Sequence, residues 1–433
     1  MGQLFLEFWR LDDPNVVWVL AGAVLLGGAA GVIGVFAFLQ KRALIGDALA
    51  HAALPGVATA FILFQTRELE VILAGAVVSC ALGILAIDYL VDHTRIKPDS
   101  ALAIVLSVFF AFGAFEMTHI QQMPVGNQAG LDKLLFGQAA ALTADDVRVL
   151  GIVAALILVV AALLFDRFRV VIFDRGFARA IGMPVRFYDF LLSALLVLAV
   201  VIGLQLAGVV LMAAVVLTPA AAARYWSNRL GVIVILAGIF GIVAGMVGAN
   251  VSYIAPRMPT GPWMVMAITA IFFVSLFAAP ERGLYARWRR RVRLHRRVAE
   301  ENVLRTLFKL GESGDCRFCA GINEILRYRS LSPVALQRVL ARLERQGELV
   351  RKGDRWQLTD AGLDRARAIT RRHRLWELYL TREVALSPDQ VHDDAEAVEH
   401  LLTPEMERAL AEELGTPEAD PHGRAIPAGS RGD

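Results

Sequence analysis

Nine long apolar stretches fill most of the first 280 residues, and they constrain the fold more than any other feature. They run roughly over residues 16–39, 48–64, 70–91, 101–117, 147–165, 190–205, 207–223, 231–254 and 262–280. A helix needs about 17–25 apolar residues to cross a hydrocarbon core. Lipid offers no partner for backbone amides, so such segments must be helical or form a closed barrel. The stretches 190–205 and 207–223 also read as one broken element, which leaves eight or nine spans. The chain is 56% hydrophobic, with a mean hydropathy of +0.54. The apolar pattern stops at Pro280; from Glu281 the composition is that of a soluble protein rich in Arg and Glu.

Charge position carries more information than the net +3, which is too small to argue nucleic-acid binding for the whole chain. Lys41 and Arg42, Arg95 and Lys97, the arginines between 167 and 186, Arg224 and Arg229, and the run after 281 fall in alternate connections. Positive charge favours the cytoplasmic side, so the N-terminus is expected outside and the C-terminus inside. The first apolar stretch has no basic run before it and is read as a retained span rather than a cleaved leader. Of three cysteines, Cys80 lies in a span and Cys316 and Cys319 form a lone C-x-x-C. Two thiols fall short of the four ligands a structural zinc needs, so a reduced cytosolic loop is expected.

The membrane half is organised around Gly46-Asp47-Ala48-Leu49-Ala50-His51-Ala52-Ala53-Leu54-Pro55-Gly56. Asp47 and His51, four apart, share one helical face. Ionisable groups are costly inside a bilayer and point to a polar interior. Carboxylate and imidazole suit a divalent transition metal. The spacing alone also fits Asp47 as a helix cap and His51 as a hydrogen bond to a neighbouring helix. Pro55-Gly56 predicts a bend there. Asp88, Glu116 and His119 are further polar residues near span ends, read as interfacial or helix–helix contacts before ligands.

This stretch resembles the signature of the permeases of ATP-binding-cassette importers for zinc, manganese or iron. Leu135-Phe136-Gly137 with Asp145-Asp146, Gly208-Val209-Val210-Leu211 with Thr218-Pro219, and Pro259-Thr260-Gly261-Pro262 also resemble family segments in order. The resemblance covers most of residues 16–283. It implies that Asp47 and His51 contact the ion in transit. It also implies that the segment Phe177 to Pro184, with Phe177, Ala178 and Gly182, couples to a separate cytoplasmic ATPase. The chain has no G-x-x-x-x-G-K-[S/T] loop and is expected to bind no nucleotide itself. An extracytoplasmic metal-binding protein and a second permease copy are the other implied partners.

The soluble half starts with eight arginines between Glu281 and Arg297, placed to contact anionic lipid. Helical patterns follow near 303–310, 322–326 and 334–343, then a hairpin around Gly353-Asp354. That order is a winged helix–turn–helix, whose second helix enters a DNA major groove. Ser332, Val334, Ala335, Gln337 and Arg338 lie early on that helix, and Arg342, Arg345, Arg351, Lys352 and Arg355 are candidate phosphate contacts. Protein binding is the other use of such a domain. His373 and Glu377 are four apart, and Glu396, Glu399 and His400 share a face of the next helical pattern. Such helix charges are also common surface features.

Residues 300–427 resemble the iron- and manganese-dependent repressors of the diphtheria-toxin-repressor type. The resemblance implies metal binding by His373, Glu396, Glu399 and His400, with an ancillary set of His373, Glu377 and His392. The carboxylate of Glu396 favours manganese over iron. The chain departs at Asn302 and Arg305, where that family supplies metal ligands.

The fold expected is an all-α polytopic membrane protein of about eight to nine transmembrane helices, followed by a soluble winged helix–turn–helix and a helical metal-binding and dimerisation domain. The divisions are 1–283 permease, 284–300 basic linker, 301–370 winged helix and 371–433 metal-binding domain. The expected function is divalent metal import, manganese ahead of zinc or iron, with a C-terminal DNA-binding regulator that stays tethered, is released near 281–300, or acts on the transporter. A tethered metal-sensing repressor without transport and a metal-chelate permease are the rivals.

Overall fold

The computed structural model describes residues 7–40, 45–66, 68–122, 137, 142–254, 258–313, 319–329, 331–384 and 402–428. It forms two compact units, Met1–Arg287 and Trp288–Asp433.

Among the described residues, eight helices of the first unit are long and apolar enough to cross a membrane. The first four are α1 (Pro14–Leu39), α2 (Ile45–Phe64), α3 (Leu69–His93) and α4 (Pro98–Gln122). After α5 (Ala144–Leu163), the short helices α6 (Phe165–Phe173) and α7 (Arg175–Ala180) form a connection to α8 (Val185–Ala207). A 3-10 turn, Val209–Leu211, leads into α9 (Met212–Ala223), followed by α10 (Leu230–Ile254) and α11 (Thr260–Ala278). The ninth expected stretch is therefore a shorter apolar helix. Gly208, at φ +80°, ends α8, and the 12 residues of α9 rise only about 18 Å.

Helix starts follow local chemistry. Asp13 accepts from the Asn15 amide ahead of Pro14, and Thr143 and Asp146 form a reciprocal capping box. Packing then depends on missing side chains. A Cβ on Gly27 would lie 2.2 Å from the Gly241 carbonyl oxygen, and one on Gly241 would lie 2.0 Å from that of Gly27. Helices α1 and α10 thus meet backbone to backbone. Close approach replaces the hydrophobic drive that lipid cannot provide. The same device joins α2 to α3, where a Cβ on Gly56 would sit 2.2 Å from the Gly75 oxygen.

In the second unit, α12 (Leu284–Ser313) begins just before the unit boundary. Its Val303, Leu304, Leu307 and Phe308 form a core with Leu336, Leu340 and Leu343. The helices α13 (Ile322–Tyr328) and α14 (Pro333–Arg345) precede a hairpin of β2 (Leu349–Lys352) and β3 (Arg355–Leu358). The strand β1 (Cys319–Gly321) completes an antiparallel sheet of order β1-β3-β2, with Leu349 opposite Leu358 and Ala320 opposite Trp356. This is the expected winged helix, with Gly353 at φ +61° in the wing turn. The expected linker, 284–300, is helical throughout, as the first part of α12. Likewise α15 (Asp360–Arg382) crosses the expected division at 370/371 and packs Leu375 and Leu378 against Leu410 and Leu414, on and just beyond α16 (Pro404–Glu413). Cys319 is disulfide-bonded, not reduced as expected.

Gly75→Val should break the α2–α3 seam, because the added carbons meet the Gly56 backbone and the Ala60 Cβ. Overpacking costs about 1–3 kcal/mol. Thermal unfolding of the purified full chain should show a lower midpoint than in Gly75→Ser, which adds fewer atoms.

Candidate functional site

Helix α2 carries the polar pair of the membrane unit. Asp47 lies in its first turn, where a carboxylate is favoured by the helix dipole. His51 Nε2 stands 3.5 Å from Asp47 Oδ1, and the two side chains are 15% and 34% exposed, histidine first. The imidazole meets the Phe110 ring edge-on, at 4.9 Å and 79°. Among the described residues its Nδ1 is buried without a hydrogen-bond partner. A buried polar atom left unpaired is costly, so this nitrogen is held ready for a partner. Pro55 sits inside the same helix. Its missing N–H frees the His51 carbonyl, four residues back, from its helical bond. The side-chain donors of the site are thus a carboxylate and a ring nitrogen, and the released carbonyl lies on the same helix. Sequence reading located the two side chains but not the carbonyl, although the His51–Pro55 spacing contains that signal.

Of the other polar residues near span ends, Glu116 is buried and accepts from Thr59 Oγ1 at 2.8 Å, joining α4 to α2. That is the helix–helix contact expected of it. His119 is exposed.

The connection of α6 and α7 has its own small core, made by Val171, Ala178, Met183 and Val185. Ala178 is therefore inside, and the expectation that it contacts a partner is corrected. Phe177 and Ile181 are 54% and 51% exposed and form the outward apolar surface. Gly182, at φ +79°, turns the chain towards α8. Asp174 caps α7 through the Phe177 amide, and Arg175 pairs with Asp189 at 3.1 Å.

In the second unit, Ser332 caps α14 by accepting from the Ala335 amide. Val334, Gln337 and Arg338 are exposed along that helix, and Lys352 is exposed on the wing. Arg342 instead pairs with Glu300 at 3.1 Å, and Arg355 with Glu324 at 2.8 Å. Both guanidiniums are thus engaged within the domain, and both remain partly exposed. Arg351 lies over the Trp356 ring.

His373 and Glu377 come together as expected, with His373 Nε2 2.9 Å from Glu377 Oε1. The other ring nitrogen, Nδ1, is 2.7 Å from Arg305 Nη1. All three residues are buried. A metal at His373 would need a nitrogen lone pair, and this arrangement leaves none, so the described residues do not fit a metal there. His392, Glu396, Glu399 and His400 lie outside the described residues. Around His373 a cavity of about 450 Å³ is lined by Arg305, Lys309, Arg329 and Arg424 among others. Burial and the charges of Arg424, Arg305 and Arg329 hold the Lys309 amine below its ordinary value, against the pull of Glu377. Nearby, Arg374 forms a two-pronged contact with Glu312, at 3.1 and 2.6 Å, and lies 3.6 Å from Asp420.

Residues 12–279 match the family model for the ABC 3 transport family. The chain belongs to the ABC 3 transport family. Residues 359–428 match a second model, iron dependent repressor, metal binding and dimerisation domain, so this ABC 3 permease carries a metal-dependent-repressor-type domain at its C-terminal side. It is 42% identical over 386 residues to the manganese transport system membrane protein MntC of Bacillus subtilis, covering 89% of this chain and 88% of the relative. It is 41% identical over 281 residues to the zinc transport system membrane protein TroC of Treponema pallidum, covering 65% of this chain and 94% of the relative. Among solved structures it resembles PsaBC from Streptococcus pneumoniae in complex with Fab, with a TM-score of 0.59, 32% identity, and coverage of 65% of this chain and 98% of that one. The relatives are transport permeases, and membership of the ABC 3 family implies ATPase and substrate-binding partners. The eight apolar helices make this ABC 3 protein a multi-pass membrane protein.

Arg374→Ala should destabilise the second unit by about 1–3 kcal/mol, because it breaks the Glu312 contact and removes the cation beside the buried Asp420 carboxylate, which keeps its bonds from the His422 and Arg424 amides. Limited proteolysis of the full chain should show earlier cleavage of this unit, with the membrane unit unaffected.

Proposed function

We propose that this chain is the permease subunit of an ATP-driven importer of a divalent transition metal, manganese ahead of zinc and iron. The observation that carries the reading is the unpartnered His51 Nδ1 beside Asp47 on a helix that also has a freed carbonyl. These nitrogen and oxygen donors suit a bare divalent ion of this class. Similarity to a manganese and a zinc transport protein supports the same cargo.

The ion arrives from an extracytoplasmic binding protein, and two permease copies form its path. Asp47 attracts it by charge, and His51 supplies a directional nitrogen. A partner ATPase docks on the cytoplasmic side against Phe177 and the neighbouring exposed apolar surface, and Gly182 shapes the turn behind it. Hydrolysis by the partner drives alternating access. The C-terminal unit is cytoplasmic and regulatory. Its α14 presents Gln337 and Arg338 to DNA, and Lys352 on the wing meets phosphate.

Uptake should be measured in cells expressing the chain with its partner ATPase, for manganese, zinc and iron separately. His51→Ala and Asp47→Ala should each weaken uptake at limiting ion. A charge-assisted contact is worth about 1.5–3 kcal/mol, or roughly ten- to a hundredfold. Unchanged uptake in both variants would remove the pathway assignment. No uptake by wild type at the membrane would favour a tethered regulator.

DNA binding has a separate test, anisotropy of the full chain with a labelled duplex. Lys352→Ala should lower affinity and reduce the salt slope by about one. Arg342→Ala should leave the salt slope unchanged, because Arg342 serves Glu300.

A further inference from the structure

We propose that Arg305 is a tethered cation standing in the place of a metal ion at His373, so that α12 is fastened to α15 without metal. Arg305 lies on α12, and His373 and Glu377 lie on α15, 68 residues away. The contacts are 2.7 Å from Nη1 to Nδ1 and 2.9 Å from Nε2 to Oε1. The residues are 7%, 5% and 3% exposed in the order Arg305, His373, Glu377.

The chemistry assigns the proton. A guanidinium only donates hydrogen bonds, so His373 Nδ1 must accept with its lone pair. The ring proton is then on Nε2 and is donated to the Glu377 carboxylate. A neutral imidazole has one lone pair, and here a guanidinium holds it. A metal ligand must present that same pair. An ion could reach His373 only by displacing Arg305, whose positive charge opposes the ion's approach. Lys309, Arg329, Arg374 and Arg424 line the same cavity against the carboxylates Glu377 and Asp420, and their excess of positive charge adds to that repulsion. Asn302, one turn from Arg305, brings a neutral amide and no carboxylate to attract an ion.

In this arrangement the guanidinium does mechanically what a bridging ion would do: it links the first helix of the winged unit to the helix carrying His373. The link is part of the chain and does not respond to the cytosolic metal level through His373. The inference rests on the regulatory reading of this unit only for that consequence; the metal count that tests it is independent of DNA binding.

The test uses the purified full chain in lipid nanodiscs, with manganese bound at equilibrium counted by elemental analysis. His373→Gln keeps an acceptor for Arg305. It should bind as many ions as wild type, with a titration midpoint within twofold. Arg305→Glu should gain one ion, and Arg305→Glu/His373→Gln should lose it again. Loss of one ion in His373→Gln, or a tenfold weaker midpoint, would overturn the proposal, as would an unaltered count in Arg305→Glu. In wild type, protease protection of α12 and α15 should be the same in chelator as in manganese. Protection lost in chelator and restored by manganese would also overturn it. Failure of metal uptake would bear on the permease reading and leave these outcomes unchanged.

Discussion

The membrane unit depends on helices that approach until their backbones touch. Lipid tails are as apolar as leucine, so burying leucine between helices yields little driving force there. Close contact yields dispersion and shape complementarity instead. Gly27 and Gly241 make that contact for α1 and α10, and Gly56 and Gly75 make it for α2 and α3. One residue earlier on α2, a Cβ on Gly113 would lie 2.9 Å from the Pro55 nitrogen. Helix α2 is thus gripped by α3 and α4 just beyond the turn that carries His51. The grip has a functional result: Asp47 and His51 stand on a helix whose position is fixed by backbone geometry, so beyond their mutual 3.5 Å approach they need no hydrogen bonds to hold them in place. A polar site anchored by its own hydrogen bonds would have none to offer a passing ion.

Much of this was legible in the sequence. Apolar length alone located the eight long helices, since a bilayer leaves a segment few alternatives to a helix. The ninth stretch misled because composition does not report φ. Gly208 at +80° ends one helix and the next is only 12 residues long. The winged unit was legible through its order of helices and its Gly353-Asp354 turn. Its charged residues were less so. An arginine in sequence advertises a positive charge and says nothing of its partner. Arg342 finds Glu300 42 residues away, and Arg355 finds Glu324 31 residues away. Ala178 was misread for a related reason, because a six-residue helix buries one of its small residues in a local core that no periodicity over so few positions reveals.

The linker shows a different limit. Eight arginines in a short stretch suggested a break between domains, yet seven of them lie on one 30-residue helix, with Arg282 just before it. Arginine is a good helix former, and its charge does not interrupt backbone bonding. Only the burial pattern changes along α12. Its beginning exposes Tyr285 and Trp288 among arginines, whereas Val303, Leu304 and Leu307 are fully buried. Domain boundaries drawn from composition therefore mark a change of surroundings within a helix, not an end of secondary structure.

The two histidine–carboxylate pairs of this chain have the same spacing and opposite availability. In the membrane unit, His51 and Asp47 are 3.5 Å apart and Nδ1 is unpartnered among the described residues. In the winged unit, His373 and Glu377 are 2.9 Å apart and Nδ1 faces a guanidinium. Sequence spacing treats the pairs as equivalent; the element packed against each decides the difference. Phe110 gives His51 a ring edge, which excludes water without consuming a lone pair. Arg305 gives His373 a donor, which consumes it. A cargo site must bind and release, so an open lone pair in a dry setting suits it. A structural joint must stay closed, and a cation carried by the chain itself cannot diffuse away. The same two residue types thus serve transit in one unit and fastening in the other, according to what the neighbouring helix supplies.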